Sequence, residues 1–201
     1  MVVLKRDADY HTYADYLVWS RPYGDELIDG TAYVREPPSP LPPHQIVVGE
    51  LYYQIRSALE GKVARVYDAP FDIRLPKGNE GDDLVDTVVQ PDVFILSGLQ
   101  QLDRRGVRGT PVWLAEVLSP STARHDQVVK LPVYERAGVR EVWLIHPIER
   151  TLRIYLLEGG RYGRETVLEL KGQTQLTAVP GVTVDWDDAL ADLAQLSDGD
   201  D

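Results

Sequence analysis

Cysteine is absent from the 201 residues, which excludes disulfides, thiolate metal ligands and cysteine nucleophiles together. A chain of this length buries enough core to be stable without such staples, and the absence fits a reducing compartment. Long apolar runs are missing too, none approaching the ~18 residues that suggest a membrane span. The opening Met1-Val2-Val3-Leu4-Lys5-Arg6-Asp7 has neither the basic flank nor the long apolar core of a secretory signal. The expectation is a soluble, cytoplasmic protein with no membrane partner. Positive charge is scarce: 21 Lys and Arg stand against 32 Asp and Glu, a formal net charge of −11. Lys and Arg that neutralise phosphates supply most non-specific affinity for nucleic acid. Binding of DNA would therefore rest on a local patch, or on cations held by carboxylates. There is no glycine-rich phosphate loop, no His-Glu-x-x-His, and no nucleophile elbow around Ser119 or Ser121, which read as caps and turn residues.

What is present is the composition of an ordinary globule, 43% hydrophobic and 26% charged. One domain is expected over residues 1–196, followed by an acidic tail at 197–201. Thr12 to Val18 reads as a short helix capped by Thr12. Asp29-Gly30 between two β-prone runs signals a hairpin, because a type I′ turn needs the positive φ these residues tolerate. The proline-rich stretch Pro37 to Pro43 reads as a loop. His44 to Leu59 is an amphipathic helix, with Val47, Val48, Leu51, Ile55 and Leu59 on one face and Gly61 as its stop. Strands are expected at Val63–Tyr67, Phe71–Leu75, Val88–Leu96 and Val112–Leu118, with loops at Pro76–Asp86 and Ser97–Thr110. A helix follows from Ser119-Pro120-Ser121-Thr122 to Ala137, kinked at Pro132 and ended by Gly138. Glu141–Ile145, Leu152–Leu157 and Glu165–Leu170 suggest a β-meander. Val182–Val184 offers a last short strand and Asp187–Leu196 a last helix. Trp113, Trp143 and Trp186 fall in strand-like text as core or interface residues. The whole is one mixed α/β domain.

The chemistry lies in carboxylates. Gln90-Pro91-Asp92-Val93-Phe94-Ile95 and Trp113-Leu114-Ala115-Glu116-Val117-Leu118 each place an acid in apolar text, where charge is rare unless paired, metal-bound or pointing outward. Either acid alone reads as solvent-facing. Two acids on adjacent strands suit a hard cation, since Mg²⁺ takes one or two carboxylates plus water and phosphate oxygens. Asp126, Lys130 and Tyr134 follow at i, i+4, i+8 and share a helical face. The plain alternative is an exposed ion pair worth about 0.3–0.5 kcal/mol. Gln90 reads equally as a polar strand residue or as a hydrogen-bond donor to water or phosphate. The four histidines, His11, His44, His125 and His146, are scattered without ligand spacing. His44 either starts its helix or faces a cleft.

The succession Asp25-Glu26-Leu-Ile-Asp-Gly30, His44, Pro91-Asp92-Val93, Glu116-Val-Leu-Ser-Pro-Ser-Thr122, Asp126…Lys130…Tyr134 and Ala137-Gly-Val-Arg-Glu-Val-Trp143 resembles the Uma-two family. Its members are assigned as restriction endonucleases of the PD-(D/E)XK nuclease superfamily. The resemblance runs from about Thr12 to Trp186. It implies a restriction-endonuclease-like core, a mixed sheet flanked by helices, with the β-meander added. It also implies paired acids at Asp92 and Glu116, and a helical acid near the N-terminus at Glu26. The strand position usually held by lysine is Leu118 here, and the resemblance moves the lysine to the following helix, at Lys130.

The expectation is a Mg²⁺- or Mn²⁺-dependent endonuclease cutting DNA phosphodiesters, acting as a homodimer or higher homo-oligomer because cutting both strands usually takes two sites. Asp92 and Glu116 would hold the ion, with the Val117 carbonyl a third ligand. Glu26 would hold a second ion or steer water, and Lys130 would stabilise charge on the phosphate. Two rivals stay open. One is a nuclease-fold binding or assembly module without catalysis, which the charge and Leu118 favour. The other is a metal-dependent hydrolase of a small phosphorylated compound.

Overall fold

The computed structural model describes residues 3–5, 8–19, 25–35, 42–120 and 122–193. The expected loop ahead of Pro42, Ser121, the acidic tail, and the end of the last expected helix lie outside these residues. In chain order the strands are β1 (Val3–Lys5), β2 (Glu26–Ile28), β3 (Thr31–Arg35), β4 (Arg65–Asp68), β5 (Ile73–Arg74), β6 (Val88–Val89), β7 (Val93–Leu96) and β8 (Leu102–Asp103). They continue with β9 (Gly106–Arg108), β10 (Trp113–Val117), β11 (Glu141–His146), β12 (Thr151–Glu158), β13 (Arg161–Tyr162), β14 (Thr166–Glu169), β15 (Gln173–Gln175) and β16 (Thr183–Asp185). The helices are α1 (Tyr13–Val18), α2 (Pro42–Ala58), α3 (Ala123–His125), α4 (Leu131–Ala137) and α5 (Trp186–Ala189).

Two sheets carry the fold. The first runs β1-β3-β2-β6-β5-β9-β8, the second β13-β12-β11-β10-β7-β4 with β14 also on β12, and β15-β16 form a separate hairpin. In the second sheet β10 and β11 are parallel, while β7, β12 and β4 join antiparallel. Side chains alternate across a strand, so β10 feeds two cores. Trp113, Ala115 and Val117 pack with Trp143, Ile145 and Trp186 against Val47, Leu51 and Ile55 of α2. Leu114 and Leu118 pack with Phe94, Leu96, Val142 and Leu144 against Val133 and Tyr134 of α4, and against Ile28, Ile73 and Val89 of the first sheet. Glu116 is thereby directed to the second core, between α4 and the first sheet.

Local chemistry explains several boundaries. Asp29 and Gly30 have φ of 50° and 73°, and Ile28 pairs with Thr31, the geometry of a type I′ hairpin. At the start of α1, the Asp15 carboxylate accepts the Thr12 N–H at 2.8 Å. Helix α2 begins earlier than the expected loop allowed, at Pro42, because first-turn N–H groups have no helical partner and proline forfeits nothing there. Gly138 closes α4 at φ 84°.

Three expectations need correction. Val88–Leu96 is not one strand: it divides into β6 in the first sheet and β7 in the second, with Gln90-Pro91-Asp92 as the crossing. Pro91 lacks the N–H a central ladder requires. Ser97–Thr110 is not simply a loop, since Leu102 pairs with Val107 in the β8–β9 hairpin. Between α3 and α4, Asp126–Lys130 form a π-helical turn. The backbone stays in the right-handed region at His125, Asp126, Lys130 and Leu131, so the three pieces run on as one helical segment. The wider turn sits just before Pro132, where a proline ring would crowd the carbonyl four residues earlier.

Candidate functional site

The crossing from β6 to β7 delivers Asp92 one residue ahead of β7. In the β7–β10 ladder Phe94 pairs with Leu114 and Val93 with Ala115. One further step of that register sets Asp92 opposite Glu116, and residues directly opposite share a sheet face. Asp92 Oδ2 accepts the Val117 N–H at 2.7 Å and lies 3.3 Å from Nε2 of His44, in the first turn of α2. The Asp92 and His44 side chains are 14% and 22% exposed, and they form the solvent-facing side of the cluster.

Behind them the groups are sealed. Glu116 Oε1 lies 2.7 Å from Lys130 Nζ and accepts a short hydrogen bond from the Tyr134 hydroxyl. Lys130 Nζ lies 3.0 Å from Glu26 Oε1, 3.7 Å from Asp126 Oδ1 and 3.5 Å from the Gln90 carbonyl. Glu26 Oε1 also accepts the Gln90 N–H at 2.8 Å, and its Oε2 is 3.0 Å from His125 Nε2. The His125 ring rests on Tyr33 with centroids 4.7 Å apart. Glu26, Glu116, His125, Asp126, Lys130 and Tyr134 are all buried.

Three carboxyl groups thus contact one ammonium group, and the charge of Asp92 acts on the same cluster. Burial pushes Glu116 up to about 8 against the pull of Lys130, and the charges of Asp126, Asp92 and Glu26 add to the rise. Burial also pushes Asp92 upward, but His44, Lys130 and the Val117 N–H outweigh it and hold this carboxyl below its ordinary value. Tyr134 is driven well above the usual phenol range by burial and by Glu116, so it remains a donor. Two carboxyls of the same kind end in opposite protonation tendencies because only Asp92 is reached by His44 and a backbone N–H.

Among the described residues, no three His, Asp or Glu side chains form a ready-made metal cage. Mg²⁺ does not require one, since it keeps several waters and takes one or two carboxylates. The pair Asp92 and Glu116 fits that demand: oxygen donors, on adjacent strands, in a cluster with surplus negative charge. Glu26 is differently placed, both its oxygens being taken up by Lys130, Gln90 and His125.

The structure brings together Asp92, Glu116, Lys130, Glu26, Asp126, Tyr134 and His44. Glu26 sits on strand β2, not on the N-terminal helix the resemblance implied. It reaches the cluster because β2, held between β3 and β6, folds over the second core. Gln90 is on the crossing rather than on a strand face: its amide donates to Asp72 Oδ1 at 2.6 Å, and its backbone, not its side chain, touches the cluster. Val117 contributes its N–H to Asp92. The residue sequence reasoning passed over is His125. In a regular α-helix His125 and Lys130 would stand about 140° apart, whereas a π turn, bonding i to i+5, lets both reach Glu26. The signal available was Pro132, two residues beyond the turn.

The fold is mixed α/β, with Asp92 and Glu116 facing one another across neighbouring strands and Lys130 buried against Glu116. The family model Uma2, described as "Putative restriction endonuclease", matches residues 13–191, and the chain belongs to that family. None of the curated proteins compared with the chain matches it. Among solved structures, a crystal structure of a "putative nuclease belonging to DUF820" from Anabaena variabilis ATCC 29413 is similar in fold. Its TM-score is 0.69 at 18% identity, covering 90% of this chain and 97% of that one. No helix among the described residues is long and apolar enough to cross a membrane.

Proposed function

We propose that this protein is a metal-dependent endonuclease that hydrolyses DNA phosphodiester bonds at the Asp92–Glu116 pair. The observation that carries the reading is the placement of these two acids opposite one another across β7 and β10, with Lys130 Nζ 2.7 Å from Glu116. A Mg²⁺ or Mn²⁺ ion held by the two carboxylates would polarise a phosphoryl oxygen and favour hydroxide near neutral pH. Asp92, kept ionised by His44 and the Val117 N–H, is the ligand ready at neutral pH. Lys130 is 0% exposed and acts through Glu116: its ammonium group holds that carboxylate in place and favours its ionised form. Glu26 and His125 position Lys130 rather than bind the ion. Cutting both strands would take two such sites, so a homodimer in a cytoplasmic setting is part of the reading, and light scattering measures its mass.

The test is cleavage of plasmid and single-stranded DNA with Mn²⁺. Wild type is expected to cleave, and Asp92→Ala to lose at least 100-fold in rate, on the order of the contributions single charge-stabilising groups make. Equal rates in the two proteins would sink the assignment.

One observation favours a second reading, a nuclease-fold module without catalysis: Lys130 already neutralises Glu26 and Glu116 at contact distance. Titration calorimetry separates the two. Absence of any divalent-ion heat at millimolar metal would support the module.

A further inference from the structure

A cavity of about 230 Å³ is lined by Leu118, Gln127, Leu144, His146, Thr151 and Arg153, together with Ala123 and Glu149. Its position follows from strand register. Leu144 pairs with Glu116 on one side and with Arg153 on the other, so Glu116, Leu144 and Arg153 form one lateral row on the same sheet face. At about 4.8 Å per strand, Arg153 is rooted roughly 10 Å from Glu116. Leu118, two residues beyond Glu116 on its strand, shares that face. Gln127, next to Asp126, supplies the helical wall. The cavity therefore lies on the sheet face that carries Glu116, displaced toward β12, although neither Asp92 nor Glu116 lines it.

Its polar lining consists mainly of donors. Arg153 Nη1 donates to Gln127 Oε1 at 3.2 Å, while the Gln127 amide nitrogen donates to the Ala123 carbonyl at 3.0 Å. The bond to Ala123 holds the amide whose oxygen receives the guanidinium. His146 Nδ1 accepts the Glu149 N–H at 3.1 Å, which leaves the neutral ring with its proton on Nε2. Thr151 adds a hydroxyl, and Leu118 and Leu144 give an apolar floor. Arg74, Lys77, Arg105, Arg108, Lys130 and Arg136 all contact carboxylates. Among the described residues Arg153 has no such partner. In a chain with a net charge of −11, this is a cation without a carboxylate contact, two strands along the row from Glu116. Glu149 opposes an anion here, its Oε1 lying 3.7 Å from His146 Nε2, but its side chain is 65% exposed and belongs to the rim.

We infer that this cavity holds the nucleotide adjacent to the scissile phosphodiester, with Arg153 on its phosphate and the leucine floor under its sugar or base. The inference rests on the nucleic-acid substrate proposed above and specifies where the strand runs: from Asp92 and Glu116 along the row toward β12. Guanidinium groups bind phosphate through paired N–H donors, and a single phosphate contact also adds to the salt dependence of binding.

The experiment is fluorescence anisotropy of a labelled ten-nucleotide single-stranded DNA in EDTA, from 20 to 200 mM salt, so that catalysis plays no part. Arg153→Gln is expected to weaken binding about tenfold and to reduce the slope of log K against log salt by about 0.7, the value of one single-strand phosphate contact. Lys171→Gln, which removes the same charge from an exposed site outside the cavity, is expected to change affinity less than twofold. Glu149→Gln is expected to tighten binding. Should Arg153→Gln melt early, Arg153→Lys keeps the charge without the fork and is expected to fall between wild type and the glutamine variant. Equal affinities and slopes for Arg153→Gln and Lys171→Gln would overturn the inference, as would wild type failing to bind at 20 mM salt. Binding through Arg153 without Mn²⁺-dependent cleavage would leave the cavity standing and remove the nuclease reading. Cleavage without an Arg153 effect would do the reverse.

Discussion

Two cations among the described residues are 0% exposed, Arg74 and Lys130, and their surroundings differ in kind. Arg74 Nη2 contacts both Asp103 oxygens at 2.7 Å, its Nη1 meets Asp82 in a short contact, and its Nε donates to the Val107 carbonyl at 3.2 Å. Arg108 and Arg105 add ion pairs to Asp82 and Asp83. Three arginines meet three aspartates, and the outer carboxylates remain in touch with water: Asp82 is 28% and Asp103 48% exposed. Lys130 instead stands alone among Glu26, Asp92, Glu116 and Asp126, with its contacts Glu26 and Glu116 1% and 2% exposed. A balanced network ties the 3₁₀ turn Asp82–Leu84 and the β8–β9 hairpin to the first sheet. An unbalanced one leaves surplus negative charge in a dry place, a costly arrangement unless protons or cations relieve it.

The largest effect expected from this difference is on stability. Lys130→Met removes the counter-charge from the sealed Glu26, Glu116 and Asp126 and should cost about 3–5 kcal/mol, the range for breaking a buried pair. Arg74→Met leaves carboxylates that water can reach and should cost less, about 1–3 kcal/mol. Urea unfolding at pH 7.5 measures both, and equal losses would break the comparison.

A second contrast lies in pH dependence. The Asp103 carboxyl is held below its ordinary value, chiefly by its hydrogen bond to Arg74, so its contribution is present at neutral pH and fades as pH falls through the folded-state value. Glu116 behaves oppositely. Its folded value of about 8 lies above the ordinary 4.5, so between these two the native state keeps a proton that the unfolded chain has released. Stability from this group therefore declines as pH rises from about 4.5 to about 8 and levels off beyond. Glu116→Gln cannot titrate, and its melting temperature should gain on wild type across pH 5 to 8; parallel curves would remove the buried-acid assignment. The same proton competes with a divalent ion, so calorimetric metal affinity should rise about tenfold per pH unit from 6 to 8 and then flatten.

The smallest effect belongs to Tyr134→Phe, which deletes one hydroxyl donor to Glu116. A loss of about 1–2 kcal/mol is expected in urea, together with a shift of the metal-binding profile to higher pH. An unmoved profile would show that Lys130 alone controls the Glu116 carboxylate.

Much of this was readable in the text of the chain. Asp29-Gly30 specified its hairpin because positive φ at two successive residues is a local steric matter. Val47, Leu51 and Ile55 declared the buried face of α2 through their spacing, and Gly138 marked the end of α4. Asp92 and Glu116 stood out as acids in apolar surroundings, and the motif order from Glu26 to Tyr134 pointed to the family. Other features were not readable. Val88 to Leu96 has the composition of one strand, and only the packing of two sheets divides it at Pro91. Glu26 was singled out by the resemblance as a helical acid, but only the packing of β2 over the second core sets it against Lys130 and His125. His125 and Lys130 converge on Glu26 through a π turn that ordinary helical spacing does not anticipate.

The sequence by itself therefore determined most of the elements and their turns and marked Asp92 and Glu116 as acids in apolar text, since periodicity and turn chemistry are written within a few neighbouring residues. Tertiary structure decided that Lys130 is sealed from water, that Glu116 holds its proton to about pH 8 while Asp92 does not, and that Arg153 lies in the same row as Glu116. Burial, charge environment and strand register are sums over groups far apart in the chain, and they acquire values only once the two sheets and the helical segment have closed on one another.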